Sequence, residues 1–322
     1  MVAEKAGVSV STVSLVLNGK GRISTRTRTL VEETAASLGF ILNRKASQLR
    51  SGKSALVGLI TSDISNPFFA EFSAAAEGVL ADEGLLPVIA NTGDNVERQT
   101  RSLEIMLSEG VAGFIISAAD GSTPKSFDLL RRFDIPFVLC VRDIGDENVD
   151  FVGFDNVRAG RIAGHHLAEK GHKDVAFIGG VLSHLNYQQR YQGVAEGLGS
   201  ASIIRSFGGL PTRTTGQEAT QVLLEDRGAT TALICFNDLV AAGAYSALSA
   251  HGLSIGTDIA VVGFDNIPET SAWTPPLTTV ELYPRGLGAR AAQMLLSKID
   301  SHHSRPAETV LMAPQLILRR ST

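Results

Sequence analysis

Residues 2–14 read Val2-Ala3-Glu4-Lys5-Ala6-Gly7-Val8-Ser9-Val10-Ser11-Thr12-Val13-Ser14. Val2 to Ala6 has the pattern of a short helix, and Gly7-Val8-Ser9 that of a tight turn. Ser9 can cap the next helix by accepting a hydrogen bond from a free backbone N–H. That helix is predicted from about Val10 to Asn18. It carries Val13, Val16 and Leu17 on one face and Ser11, Thr12 and Leu15 on the other. Two short helices joined by a Gly-containing turn make a helix-turn-helix. Gly19 to Arg22 breaks the chain. Ser24 or Thr25 then caps a third helix, with Leu30, Val31, Ala35 and Leu38 along one side and Gly39 suited to its C-terminal end.

Charge sets this segment apart. The chain has 322 residues and a net charge of −4. Residues 1–53 hold nine Lys/Arg (Lys5, Lys20, Arg22, Arg26, Arg28, Arg44, Lys45, Arg50, Lys53) against three acids (Glu4, Glu32, Glu33). That is +6, leaving −10 for the rest. A basic head on an acidic body suggests a nucleic-acid footprint confined to the head; a solvated basic surface would have the same charge. No stretch approaches the ~18 apolar residues of a membrane span, and Met1 to Arg22 is too broken by charge and Gly for a signal peptide. A cytoplasmic protein with no membrane partner is expected. Cys140 and Cys235 each sit in an apolar run and read as buried thiols.

After Gly52 the pattern becomes α/β. Strand-like runs occur at Ala55–Ile60, Leu85–Ala90, Val111–Ser117, Pro136–Val141, Phe151–Phe154, Val175–Gly179, Leu233–Phe236, Ala260–Phe264 and Leu277–Glu281. Helical stretches separate most of them: Phe68–Asp82, Arg98–Glu109, Ala159–Lys170, Thr215–Glu225 and Leu239–His251. Such alternation builds parallel sheets with helices on both faces. The run Val152-Gly153-Phe154-Asp155-Asn156 recurs as Val262-Gly263-Phe264-Asp265-Asn266, an internal echo that supports two lobes. Ligands of open α/β sheets bind beyond the carboxyl ends of the strands. Polar groups fall at such ends: Asp63, Asn66, Arg142, Asp143, Asp155, Asn237, Asp238 and Asp265.

The opening motif, Asn18, Arg22-Ile23-Ser24, Leu38-Gly39-Phe40 and the run from Asn43 to Gly52 together resemble the LacI/GalR family of bacterial repressors, and the likeness extends through the body. The resemblance implies an all-α helix-turn-helix head over residues 1–42, a hinge helix and linker over 43–54, and a doubly wound, two-lobed, periplasmic-binding-protein-like effector domain over 55–322. The first lobe would take about 55–154 and 284–308, the second about 155–283 and 309–322. It implies operator contacts from Val10, Ser11, Thr12, Leu15, Asn18, Arg22, Asn43, Ala46, Leu49 and Arg50. Leu49 would wedge into the minor groove; Leu15 cannot make the bidentate bond to guanine that an arginine makes. Effector contacts would come from Asn66, Phe68, Phe69, Asp155, His184, Asn186, Arg190, Asn237 and Asp265, with Trp273 or a Phe stacking on a sugar face. His184 and Asn186 are expected on a loop after Gly179-Gly180. Asp155 and Asp265 also read as strand-end turn formers, Phe68 and Phe69 as core, and Trp273 as loop packing.

The expected partners are therefore operator DNA, a small-molecule effector (a sugar or sugar derivative first, a purine or nucleoside second) and a second copy of the chain. No cofactor is implied. Ser51-Gly52-Lys53-Ser54 lacks the earlier glycine of a phosphate loop, since Ser47 stands there. His165, Glu169 and His172 could face one way on a helix, but read better as a helix end turning into a strand. No G-x-S-x-G elbow or other nucleophile–base constellation is evident, so an enzyme is not expected. The rival reading is a sugar-binding protein without DNA function; it lacks a reason for the basic head.

Overall fold

The computed structural model describes residues 1–17, 21–40, 54–199, 203–300 and 306–322. The chain divides into two compact units, Met1–Ser54 and Ala55–Thr322.

In the first unit, α1 (Val2–Lys5), α2 (Val10–Leu17) and α3 (Thr25–Ser37) enclose a small core of Val2, Ala6, Val13, Val16, Val31 and Ala35. Ser9 Oγ accepts from the Thr12 backbone N–H at 3.1 Å, and Ser24 Oγ from that of Thr27 at 3.2 Å. Each bond satisfies a donor that the first turn leaves free. Gly7, at φ +64°, makes the turn between α1 and α2. Leu30 departs from expectation: it is 45% exposed. It lies about 100° round the helix from Val31, off the face where Val31 and Ala35 meet the core.

The second unit begins with β1 (Leu56–Thr61), α4 (Pro67–Asp82), β2 (Leu86–Asn91), α5 (Val96–Ser108), β3 (Phe114–Ser117), α6 (Asp128–Arg132), β4 (Phe137–Cys140) and β5 (Asp150–Phe154). It continues with α7 (Asn156–Glu169), β6 (Asp174–Ile178), α8 (Leu185–Leu198), β7 (Ile203–Phe207), α9 (Arg213–Glu225), β8 (Ala232–Cys235), α10 (Asp238–Ala250), β9 (Ala260–Asp265) and β10 (Thr278–Glu281). It ends with α11 (Pro284–Asp300), β11 (Thr309–Met312) and β12 (Gln315–Ile317). Two six-stranded sheets result, ordered β11-β5-β4-β3-β1-β2 and β12-β10-β9-β8-β6-β7. Among the described residues every strand pairing is parallel except β10 with β12. This is the doubly wound, two-lobed α/β architecture expected of residues 55–322. The central strands bury both faces, as parallel strands under helices must. The chain passes between lobes at 154–156, 281–284 and 312–315.

Three expectations are corrected. Thr309–Met312 pairs with β5 in the first sheet, so the first lobe, not the second, owns it. The edge strand β7 pairs with β6 but was not anticipated; Arg205 and Ser206 break its apolar run, because an edge strand buries less of itself. Residues 185–198 form a helix where a loop was expected to carry Asn186.

Helices in the second lobe touch backbone to backbone. A Cβ on Gly193 of α8 would lie 1.9 Å from the Val157 carbonyl oxygen of α7, and one on Gly160 of α7 would lie 2.1 Å from that of Arg190. Gly164 and Gly197 repeat the pattern one turn along, at 2.4 and 2.3 Å. These four glycines seat α8 directly on α7 and so fix where Arg190 projects.

Candidate effector cleft and DNA-reading head

The cleft lies where strands of both lobes end, as the topology of open α/β sheets dictates. Helix caps frame it. Asn66 Oδ1 accepts from Phe68 N at 3.0 Å, and Asn237 Oδ1 from Val240 N at 2.9 Å. The cavity has a volume of about 230 Å³. Asn66, Phe68, Phe69, His184, Asn186, Arg190, Asn237 and Asp265 all line it. Asp155 and Trp273 do not. Asp155 caps α7, accepting from Arg158 N at 2.8 Å. Trp273 packs edge-on against Tyr245, 5.1 Å between ring centres, in the second lobe's core.

Arg190 is the centre of the second lobe's wall, only 3% exposed. Its Nε donates to Asn156 Oδ1 at 2.9 Å and its Nη1 to the Phe236 carbonyl at 2.5 Å. Three rings surround the guanidinium: Phe236 at 4.6 Å, Phe264 at 5.0 Å and Phe154 at 5.5 Å. Aromatic faces attract a desolvated cation. Burial pulls the group down to about 10, against the support of Asp265 and Asp238. Phe154, Phe264 and Asn156 belong to the internal echo, so that repeat carried a signal beyond its acids. The echo then diverges. Asp155 enters a helix, whereas Asp265 and Asn266 take φ of +108° and +56°, strained for side chains at about 1–3 kcal/mol each. Asp238 Oδ2, accepting from Ile267 N at 2.9 Å, and Arg319, donating to Asn266 Oδ1 at 2.7 Å, hold that turn.

The first lobe's wall contributes Asp94 and Arg142, joined by bonds of 2.6 and 3.1 Å. Burial alone would raise the Asp94 carboxyl, but the hydrogen bonds and charge of Arg142 outweigh it and hold the group below its usual range. Asp94 also accepts from Asp120 N at 3.0 Å. Asp120 in turn meets His184 Nε2 at 2.8 Å, so this chain of contacts spans the cleft from one lobe to the other. Asp94 was not among the residues expected; a loop acid after an edge strand carries no distinguishing pattern.

In the head, α2 presents Val10 (76% exposed), Ser11 and Leu15 outward, and Thr12 is half-buried by its bond to Ser9. Arg22 is exposed. Asn18, Asn43, Ala46, Leu49 and Arg50 lie outside the described residues. Among the described residues no group of three His, Cys, Asp or Glu side chains is placed to hold a metal ion. His165 and Glu169 are 3.5 Å apart, but His172 turns away to Thr231 at 2.9 Å. Cys140 and Cys235 are both buried and free, and burial raises both thiols. No helix among the described residues is long and apolar enough to cross a membrane.

A helix-turn-helix unit ahead of a two-lobed body with a polar, aromatic-walled cleft defines a ligand-responsive DNA-binding regulator. Comparison with known proteins gives the family. Residues 2–43 match the bacterial regulatory proteins of the lacI family, and residues 54–317 match the periplasmic binding proteins and sugar binding domain of the LacI family. The chain is 32% identical to the transcriptional repressor PurR of Pasteurella multocida, over 99% of this chain and 97% of that one. It is also 32% identical to the maltose regulon regulatory protein MalI of Escherichia coli, over 98% and 96%. The lac repressor dimer bound to operator and an anti-inducer superposes with a TM-score of 0.87 at 28% identity, over 99% and 97% of the two chains. The chain belongs to the LacI family of bacterial transcriptional regulators.

Proposed function

We propose that this protein is a repressor that binds operator DNA as a homodimer and changes its operator affinity when a sugar occupies the cleft. The observation that carries the sugar reading is the cleft's donor and acceptor set. A guanidinium, a carboxylate and amides converge there beside Phe68 and Phe69. Such groups can each bond two hydroxyls, and rings can cover a sugar's apolar face. An LacI-family regulator from Enterococcus faecalis with bound ribose has the same fold as the body, with a TM-score of 0.76 at 29% identity. A purine is the second reading, favoured by the PurR relatives.

Two heads would read the half-sites of a near-palindrome through Val10, Ser11, Thr12 and Leu15, with Leu49 of each hinge wedged in the minor groove between them. The dimer reading is supported by the β2 edge strand, which leaves Leu86, Val88 and Ile89 at 58%, 37% and 48% exposure, and by the dimeric lac repressor. An effector shifts operator affinity only as far as its own affinity differs between the two lobe arrangements. Because it would have to reach DNA, the proposed location is the cytoplasm.

The test is a thermal-shift screen of pentoses, hexoses, disaccharides and purines against the full chain, followed by operator titration with each hit. A ligand that binds only the folded state raises the melting point by mass action. The sugar reading predicts a hit among the sugars that is abolished by Asp265→Asn. A purine hit alone overturns it, as does a sugar hit indifferent to Asp265.

A further inference from the structure

The cations of the cleft are spent inside the protein. Among the described residues, those lining it include Arg142, Arg190 and His184 and no lysine. Arg142 closes on Asp94 with bonds of 2.6 and 3.1 Å, and its Nη1 also donates to the Ala118 carbonyl at 2.6 Å. His184 Nε2 stands 2.8 Å from Asp120 Oδ1. Arg190 gives donors to Asn156 Oδ1 and the Phe236 carbonyl and is walled by three rings; against burial, Asp265 supports its charge. Asp63 is a further acid of the lining, its Oδ1 taken by Ser65 N and Oγ at 3.0 and 2.6 Å. Asp265, lifted by burial to about 7, is ionised or neutral and never positive.

Helix N-termini can hold anions without a cation, and three open on this cleft. Two are closed by amide caps. Asn66 at α4 and Asn237 at α10 each take a first-turn N–H, and Asp238 adds a buried carboxyl to the first turn of α10. The third, at α8, follows His184, where the Asp120 carboxylate already stands.

We propose that the cleft takes an uncharged sugar and excludes the phosphate of that sugar, with Asp94 as a specificity-determining residue because it spends Arg142. The inference deepens the sugar reading and rests on the cleft being the effector site. A phosphoryl group here would shed its water beside Asp63 and Asp94 with no free cation to replace it. Neutral hydroxyls meet the opposite case: the carboxylates that repel an anion accept from them, and the amides of Asn66, Asn186 and Asn237 both donate and accept. Like-charge apposition of this kind weakens binding by about a hundredfold or more.

The test is thermal unfolding of the full chain in inorganic phosphate, ribose-5-phosphate and glucose-6-phosphate, each against chloride at equal ionic strength, since a ligand of the folded state raises the melting point. Wild type is compared with Asp94→Asn, Arg142→Gln and Arg190→Met. Asparagine tolerates the φ of +60° at position 94, and its Oδ1 can still accept from Asp120 N, as Asp94 does at 3.0 Å. The variant therefore keeps the loop and releases the charge of Arg142. The head is the same in all four proteins, so anion binding to its basic surface cancels in the comparison. The phosphates should move wild type and the two arginine variants alike, and should raise Asp94→Asn further. A wild-type response that either arginine variant lowers overturns the proposal, and so does Asp94→Asn without any gain. The wild-type and arginine arms decide the first point even if Asp94→Asn does not fold. A wider screen in which a purine alone binds would sink the sugar reading, while these phosphate arms would still report on the charge of the cleft.

Discussion

Replacing Gly193 by alanine sets two physical effects against each other. In an isolated helix the change stabilises by about 1 kcal/mol, because glycine loses more backbone entropy on folding. In this fold the new Cβ would sit 1.9 Å from the Val157 carbonyl oxygen, where ordinary contact begins at 3.4 Å. Helix α8 would have to move about 1.5 Å from α7, or its neighbours distort. The obstacle is backbone, which has no rotamer to yield, so the cost belongs at or beyond the upper end of the ~1–3 kcal/mol typical of overpacking. Net destabilisation of about 2 kcal/mol or more follows, and a melting point lower by roughly 3–4 °C or more for a chain of this size. The same displacement carries Arg190, one turn away, off Asn156 and the Phe236 carbonyl. Loss of one such bond is worth about tenfold in effector affinity. The assay is thermal unfolding by circular dichroism, with Gly78→Ala as control. Gly78 lies inside α4, and a Cβ there would meet nothing within 4 Å, so that variant should gain stability. If Gly193→Ala matches Gly78→Ala, or melts above the wild type, the close seam does not govern α8.

Other outcomes are open to direct measurement. Arg190→Met fills the space among the three rings but strands Asn156 Oδ1 and the Phe236 carbonyl; the effector-dependent rise in melting point should disappear, and a rise of wild-type size would show that Arg190 does not bind effector. Stability should fall as pH rises toward and through 7, because Asp265 has a raised folded-state pKa of about 7 and the folded chain then holds a proton that the unfolded chain has given up; melting points at pH 6 and 8 should differ less in Asp265→Asn than in the wild type. Operator affinity should drop steeply with salt, the logarithm of the constant falling by about 0.9 per phosphate neutralised for each decade of salt; a flat response would remove the basic head from the interface. Leu49→Ala should lower operator affinity and reduce DNA bending in a gel-phasing assay, and unchanged bending would refute the hinge wedge.

The head was legible because its signals are local. Ser9 and Ser24 cap within three residues, and Gly7 turns where its φ demands. The strand runs were equally plain, since parallel strands buried on both faces carry continuous apolar stretches. Less legible was anything that depends on which strand lies beside which. β11 and β12 are separated by two residues yet belong to different sheets. Asp155 and Asp265 hold the fourth place of identical pentapeptide echoes, and only one reaches the cleft. Trp273 sits near a plausible binding edge in sequence but faces Tyr245. The seam glycines at 160, 164, 193 and 197 would be unfavourable in isolated helices, and their spacing means close approach only once α7 and α8 are known to touch.

The sequence by itself determined a capped helix-turn-helix with a basic surface and a body of alternating strands and helices, because capping, period and charge are set by residues within a few positions of one another. Only the tertiary structure decided that Phe154, Phe236 and Phe264 close around Arg190, and that Asp94 and Arg142 pair on the facing wall of the cleft. Those groups come from strands and helices up to 110 residues apart. Their energies arise from burial and mutual charge, which exist only after the sheets have formed.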